Sequence, residues 1–295
     1  MEELSVLIES LINTLIGLTV LILLFSTGLG MTFQQVMVLW RKPGKLAKSL
    51  LAAVVLVPFA AYGVLYVASL VMEVPEEVFV GVMLLSAASG AALAPKLAEK
   101  VGADIGEATS LMVTLAIMTI VSAPIVVAVT MPPDLALPGG DVAATVFKSV
   151  LLPLIVGLAI RTWWVRLADI ITEPLTKLSN SLLNVIIILI IVKDIDVILD
   201  FGLGILVMML LLSVIYVLIG HLLGGPSLPD RITLGVSTGQ RNGAIAMMVA
   251  AQAMPEAVPA IVGAGVVVLV VIVLYLGAIG RDTADAGEPD VQVAG

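Results

Sequence analysis

The sequence predicts an all-α integral membrane protein, and three observations carry that prediction. Of 295 residues 60% are hydrophobic and only 12% charged, and the mean hydropathy of +1.19 lies far outside the range of soluble domains. Charged residues cut nearly the whole chain into apolar runs long enough to cross about 30 Å of hydrocarbon. One of those runs, Arg231 to Met254, is polar and glycine-containing in its middle: Ser237-Thr238-Gly239-Gln240-Arg241-Asn242. A continuous lipid-facing helix does not hold a guanidinium at mid-depth, because unsatisfied and charged groups cost several kcal/mol there. Such a segment is tolerated when it is broken, buried in protein and lining a cavity, as in the substrate sites of secondary transporters.

Taken in order, the runs number about nine. Span one covers about Leu4 to Gly30, and Met31 to Trp40 reads as an interfacial stretch. Span two, about Lys45 to Met72, follows the basic loop Arg41, Lys42, Lys45, Lys48. Span three begins after Pro75-Glu76-Glu77 and reaches about Lys100, and span four covers Ala103 to Thr130. The segment MPPDLALPGGD is a Pro/Gly-rich loop. Spans five to seven follow as Val142 to Trp164, Glu173 to Leu199 and Phe201 to Leu223. The interrupted run is span eight, and Ala257 to Gly280 is span nine. Residues 1–280 thus form one transmembrane domain, and 281–295 an acidic polar tail. The first apolar run reads as a mature helix rather than a cleavable signal.

Charge sets the expected orientation. Alternate loops hold eleven of the 14 Lys and Arg, the opposite side holds only Lys148 and Lys193, and Arg241 is left inside. Basic loops stay cytoplasmic, so a multi-pass protein of the cell membrane is expected, with its N-terminus outside and its C-terminus in the cytoplasm. The formal charge of −8 gives no basis for nucleic-acid binding, and zero cysteines exclude disulfides and thiolate chemistry.

The chain also repeats itself. Span three has its own small and polar centre, Ser86-Ala87-Ala88-Ser89-Gly90-Ala91-Ala92, before Pro95. Spans one to four match spans six to nine, and an offset of five inverts the second copy. Two broken helices running oppositely are expected to cross near the midplane. Their half-helix N-termini suit an anion, and their freed carbonyls suit a cation.

Simpler readings stand beside these. Ser86, Ser89 and Gly90 suit small-residue packing as well as they suit a ligand. Ser110 and Thr114, near one turn apart, have back-bonding to their own helix as the plain alternative. Arg241 differs, because its plain alternative is an ion pair and no Asp or Glu lies deep in any span to supply one.

Four places resemble the bile acid:sodium symporter family. Phe25-Ser26-Thr27-Gly28-Leu29-Gly30-Met31-Thr32 is similar to the family's segment at the end of the corresponding helix. The Lys-rich loop and Val57-Pro58 follow at similar spacing. Ser86 to Pro95 lies where members have a cysteine-proline-glycine-glycine crossover followed by a serine-asparagine pair. Gly239-Gln240-Arg241-Asn242 lies where they have glycine-methionine-glutamine-asparagine, with a glutamate two residues earlier. The resemblance implies a panel of spans one, five and six and a core of spans two to four and seven to nine, with sodium sites beside the crossing. Here the glutamate position is Ser237, the glutamine position is Arg241, and the serine-asparagine pair is Ala94-Pro95. A guanidinium competes with a cation at that point, so sodium coupling stays open.

The expected function is secondary active transport of a small organic anion across the lipid bilayer. Arg241, Asn242, Gln240, Ser237, Thr238, Ser86 and Ser89 form the expected substrate site. Ser110 and Thr114, with Asn242, form a candidate sodium site, sodium being a coupling ion rather than a resident cofactor. The rivals are an intramembrane enzyme, for which neither paired acids nor H-E-x-x-H is present, and a passive channel, which needs no inverted broken helices. Substrate identity and oligomeric state are not legible.

Overall fold

The computed structural model describes residues 2–91, 94–99, 105–130, 144 and 147–285, and builds them from helices with no strand among them. Ala92 of the first interruption, the MPPDLALPGGD loop and residues 286–295 of the tail lie outside the described residues. Helix α1, Glu2–Leu29, ends in a turn at Gly30, and α2, Phe33–Trp40, leaves it at 84°. Thr32 sets that turn: its side chain accepts from Gln35 N while Gln35 Oε1 accepts from Thr32 N, a reciprocal capping box.

The next run, Pro43–Ser69, is a single long helix with a widened turn inside it. Its parts are α3, Pro43–Leu50, a π-helical turn over Leu51–Leu56, and α4, Val57–Ser69. Pro58 explains the widening, since it has no N–H to return to the preceding turn. Within that turn the Val57 N–H bonds to Ala52 O. The Ala53 carbonyl therefore receives neither the Val57 N–H nor any N–H from Pro58, and it turns to side chains instead.

Helix α5, Glu76–Ala87, stops at Ala88, and the chain is non-helical through Ala91 before the short α6, Ala94–Glu99. Helix α7, Ile105–Thr130, follows. After a π turn at Phe147–Leu151 come α8, Leu152–Trp163, and the 36-residue α9, Val165–Asp200. The helix that carries the expected span Glu173 to Leu199 extends back to Val165, with Pro174 inside it. A non-helical Asp194 (φ −113°, ψ 21°) kinks α9 near its end. Then follow α10, Gly202–Leu223; α11, Leu228–Gly239; α12, Gly243–Ala253; and α13, Val258–Asp285.

Among the described residues, three runs suffice by length and composition to cross a membrane: Pro43–Ser69, Gly202–Leu223 and Pro255–Ile279. The count rises to five if each bent pair, α1 with α2 and the two parts of α7, makes one span. Helices α5 and α6, like α11 and α12, are too short to cross singly, against the roughly 20 residues a bilayer demands.

Packing sorts the helices into neighbours. Helix α1 lies against α8 and α9. At the α1–α8 crossing Gly28 abuts Leu154 O and Gly157 abuts Phe25 O, so two glycines let the backbones touch. Helix α5 packs between α4, α7, α12 and α13, and α10 runs along α11. On one edge Lys45 bridges Glu107 (2.9 Å) and Asp230 (2.7 Å), tying α3, α7 and the first turn of α11 together.

Candidate functional site

The two interruptions meet. Asn242 N donates to Ala88 O at 2.9 Å, and Asn242 Nδ2 donates to Gly90 O at 3.2 Å. The second break covers Gln240 to Asn242, half of the polar centre Ser237–Asn242. Gly239 is still helical, and Gln240 leaves the helix extended (φ −74°, ψ 97°) with its N–H returning to Val236 O at 2.7 Å.

Helix α5 ends with carbonyls that have no intrahelical donor. Leu84 O takes the Ala88 N–H, and the next two belong to one side chain. Arg241 Nε donates to Leu85 O at 3.4 Å, and Arg241 Nη2 donates to Ser86 O. The same Nη2 donates to Ala53 O at 3.1 Å and to Ser89 Oγ at 2.8 Å. Ser89 Oγ in turn donates to Ala53 O at 3.3 Å. A full positive charge thus sits on the negative end of the α5 dipole, among carbonyls freed by a helix end and by Pro58. Arg241 is 3% exposed, and no carboxylate pairs with it among the described residues. Its remaining nitrogen, Nη1, is buried without a partner.

The other sequence candidates fall into place around this centre. Ser89 is fully buried, and its N–H is held by Thr119 Oγ1 at 2.9 Å, a contact that fixes the first break against α7. Ser86 Oγ donates to Met83 O, and Thr238 Oγ1 donates to Leu234 O and Gly235 O, so both hydroxyls are spent on their own helices. Ser237 is buried on α11, and the Gln240 side-chain oxygen is buried without a partner. Asn242 Oδ1 accepts from Ile245 N at 3.2 Å and caps α12, which leaves less of that N-terminus for an anion than expected.

Ser110 and Thr114 do not back-bond. Ser110 Oγ donates to Val36 O (2.7 Å) and accepts from Leu39 N (2.9 Å), while Thr114 Oγ1 accepts from Trp40 Nε1 at 3.1 Å. Both hydroxyls hold α2 against α7, and Asn242 is engaged elsewhere. Two groups escaped the sequence reading: the Ala53 carbonyl and Thr119. Pro58 was the one signal that pointed to the first.

A cavity of about 400 Å³ opens away from the crossing, lined by Ile12, Glu77, Ile190, Lys193, Asp194 and Glu256 among others. Its wall includes α1 and α9 on one side and the starts of α5 and α13 on the other. Glu77 lies eleven residues before Ala88, so the cavity sits ~16 Å along α5 from the crossing at 1.5 Å per residue.

Among the described residues the protein is all-helical, and two interrupted helices meet over a buried Arg241 that pairs with no carboxylate. The family model for the sodium bile acid symporter family matches residues 16–201, and the chain belongs to that family of transporters. The match ends before the second interruption, so Arg241 and Asn242 lie beyond it. A comparison with curated proteins gave no match.

Proposed function

We propose that the protein is a secondary active transporter that moves a small organic anion by alternating access, with Arg241 taking the place of a coupling cation. One observation carries this reading: a buried guanidinium fills a cage of backbone carbonyls, pairs with no carboxylate, and keeps Nη1 open. The carbonyl oxygens of such a cage are the ligand type that sodium takes. Nη1, the Gln240 amide, Ser237 and Asn242 surround the anion's charged end, and Ser86, Ser89 and Thr238 shape the helix ends that hold them. Ser110 and Thr114 position α2, which leaves the cation role to Arg241 and makes sodium dispensable.

In this reading the chain crosses the membrane nine times as an inverted repeat. A panel of α1, α8 and α9 moves against a core of the remaining helices; the mutual packing of those three and the cavity at their edge support the division. The N-terminus is outside and the C-terminus cytoplasmic. A fluorescent-protein fusion after Gly295 is expected to fluoresce, and a fusion to alkaline phosphatase there to be inactive. The reverse pattern would overturn the orientation and the span count with it.

Counterflow in proteoliposomes tests the transport reading. Vesicles preloaded with unlabelled cholate, or with monocarboxylates from acetate to octanoate, are expected to accumulate external labelled anion transiently. Replacing sodium by potassium is expected to leave the rate within about twofold. Flux that rises linearly with concentration and shows no counterflow would mark a channel and remove the proposal.

A further inference from the structure

Buried polar groups are almost always hydrogen-bonded, so each exception asks for a reason. Among the few such atoms without a partner here are Arg241 Nη1, the Tyr216 hydroxyl and Gln240 Oε1. Tyr216 lies on α10, only 3% exposed, and nothing in the sequence set it apart. Packing places it at the crossing. Helix α10 runs along α11, with Val217 against Gly239 and Gly220 against Thr238. Tyr216 therefore stands at the level where α11 ends and Arg241 follows. The phenol and the guanidinium form no hydrogen bond with each other.

Tyr216 and Arg241 thus present two buried donors at one level of the fold, each without a partner, and an acceptor is what both lack. The charge argument says which acceptor. The α5 dipole supplies roughly half a negative charge at its C-terminus, which leaves Arg241 incompletely neutralised in a medium that penalises charge. A monovalent anion completes the neutralisation, and a carboxylate offers two oxygens, one to each donor. We infer that Tyr216 is the second donor of the anion site, its hydroxyl and Arg241 Nη1 together holding one carboxylate of the transported substrate. The inference rests on the transporter reading above and adds to it a residue and a ligand group.

The test uses purified full-length protein in detergent, titrated with potassium acetate while thermal unfolding is followed. A ligand that binds only the folded protein raises the melting temperature along a saturable curve. Wild type is expected to show such a curve. Tyr216→Phe is expected to need roughly tenfold more acetate for the same rise, the effect of one charge-assisted hydrogen bond. Without acetate it should melt at the wild-type temperature or above it, because the lost hydroxyl had no protein partner. Arg241→Gln is expected to show no saturable response, with Arg241→Lys intermediate. If Tyr216→Phe titrates like wild type while Arg241→Gln does not respond, the hydroxyl binds only water and the inference falls while the transporter reading stands. Should Arg241→Gln respond like wild type, or wild type show no saturable rise, both fall. A large loss of stability in acetate-free Tyr216→Phe would assign the hydroxyl a structural bond and also overturn the inference.

Discussion

Arg241→Gln will melt roughly 5–15 °C below wild type in potassium salts, and sodium will return part of the loss. The expectation follows from the carbonyl cage. Removing the guanidinium leaves Leu85 O and Ser86 O without a donor and takes one from Ala53 O and Ser89 Oγ, which keep their bond to each other. Each unmet group costs about 1–3 kcal/mol. Against this, the variant no longer buries a charge, which restores about 2.5–3.5 kcal/mol on insertion scales. With about 2 kcal/mol for each of the two orphaned carbonyls and about 1 for each of the two weakened acceptors, a net loss of about 3 kcal/mol remains, and at about 2–4 °C per kcal/mol it falls in the stated range. The vacated cage then presents oxygens to a small cation. With a Kd on the order of 10 mM, 100 mM sodium would return about 1.4 kcal/mol. Arg241→Lys keeps the charge but not the fork that reaches four acceptors, so it falls between the two. Wild type, whose cage is filled, should melt alike in sodium and potassium. A variant that melts like wild type in potassium and ignores sodium would make Arg241 neither cage filler nor cation substitute.

The crossing itself was legible because two polar, glycine-containing centres stand inside apolar runs, and bilayer physics leaves few other places for them. Arg241 was legible as unpaired because the absence of deep carboxylates can be read directly from the letters. What it binds was not. The sequence reading aimed its charge at a ligand, whereas most of its donors reach the last carbonyls of α5 and the carbonyl freed by Pro58. Backbone acceptors carry no residue signature, so only the break and the proline hinted at them. Ser110 and Thr114 were visible as a helical pair, but which helix they faced depends on how α2 turns back after Gly30. Tyr216 sits in a run that is apolar throughout, and its hydroxyl acquires meaning only from the register of α10 against α11.

Gly90→Ala will cost more than any other single methyl at the crossing. Gly90 has φ +81°, in the left-handed region where a non-glycine residue loses about 1–2 kcal/mol. A methyl there would lie 2.6 Å from Met112 O and against Ala116 N, both backbone atoms of α7. Backbone cannot swing aside as a side-chain tip does, so α7 or the break must move, at about 1–3 kcal/mol for overpacking of this kind. Movement also strains what the break holds: Ser89 N to Thr119 Oγ1, and Gly90 O to Asn242 Nδ2. The sum is about 3–5 kcal/mol, enough to lower the melting temperature by roughly 10 °C or more. Gly265→Ala is the matched comparison, since a methyl on that helical glycine meets nothing within 4 Å. It should be neutral or stabilising by up to about 1 kcal/mol. Because Asn242 docks on the same break, Gly90→Ala is also expected to abolish the saturable acetate response of the surviving folded fraction. If Gly90→Ala melts within about 2 °C of wild type and keeps that response, the two breaks do not meet as closely as Asn242 on Ala88 and Gly90 requires.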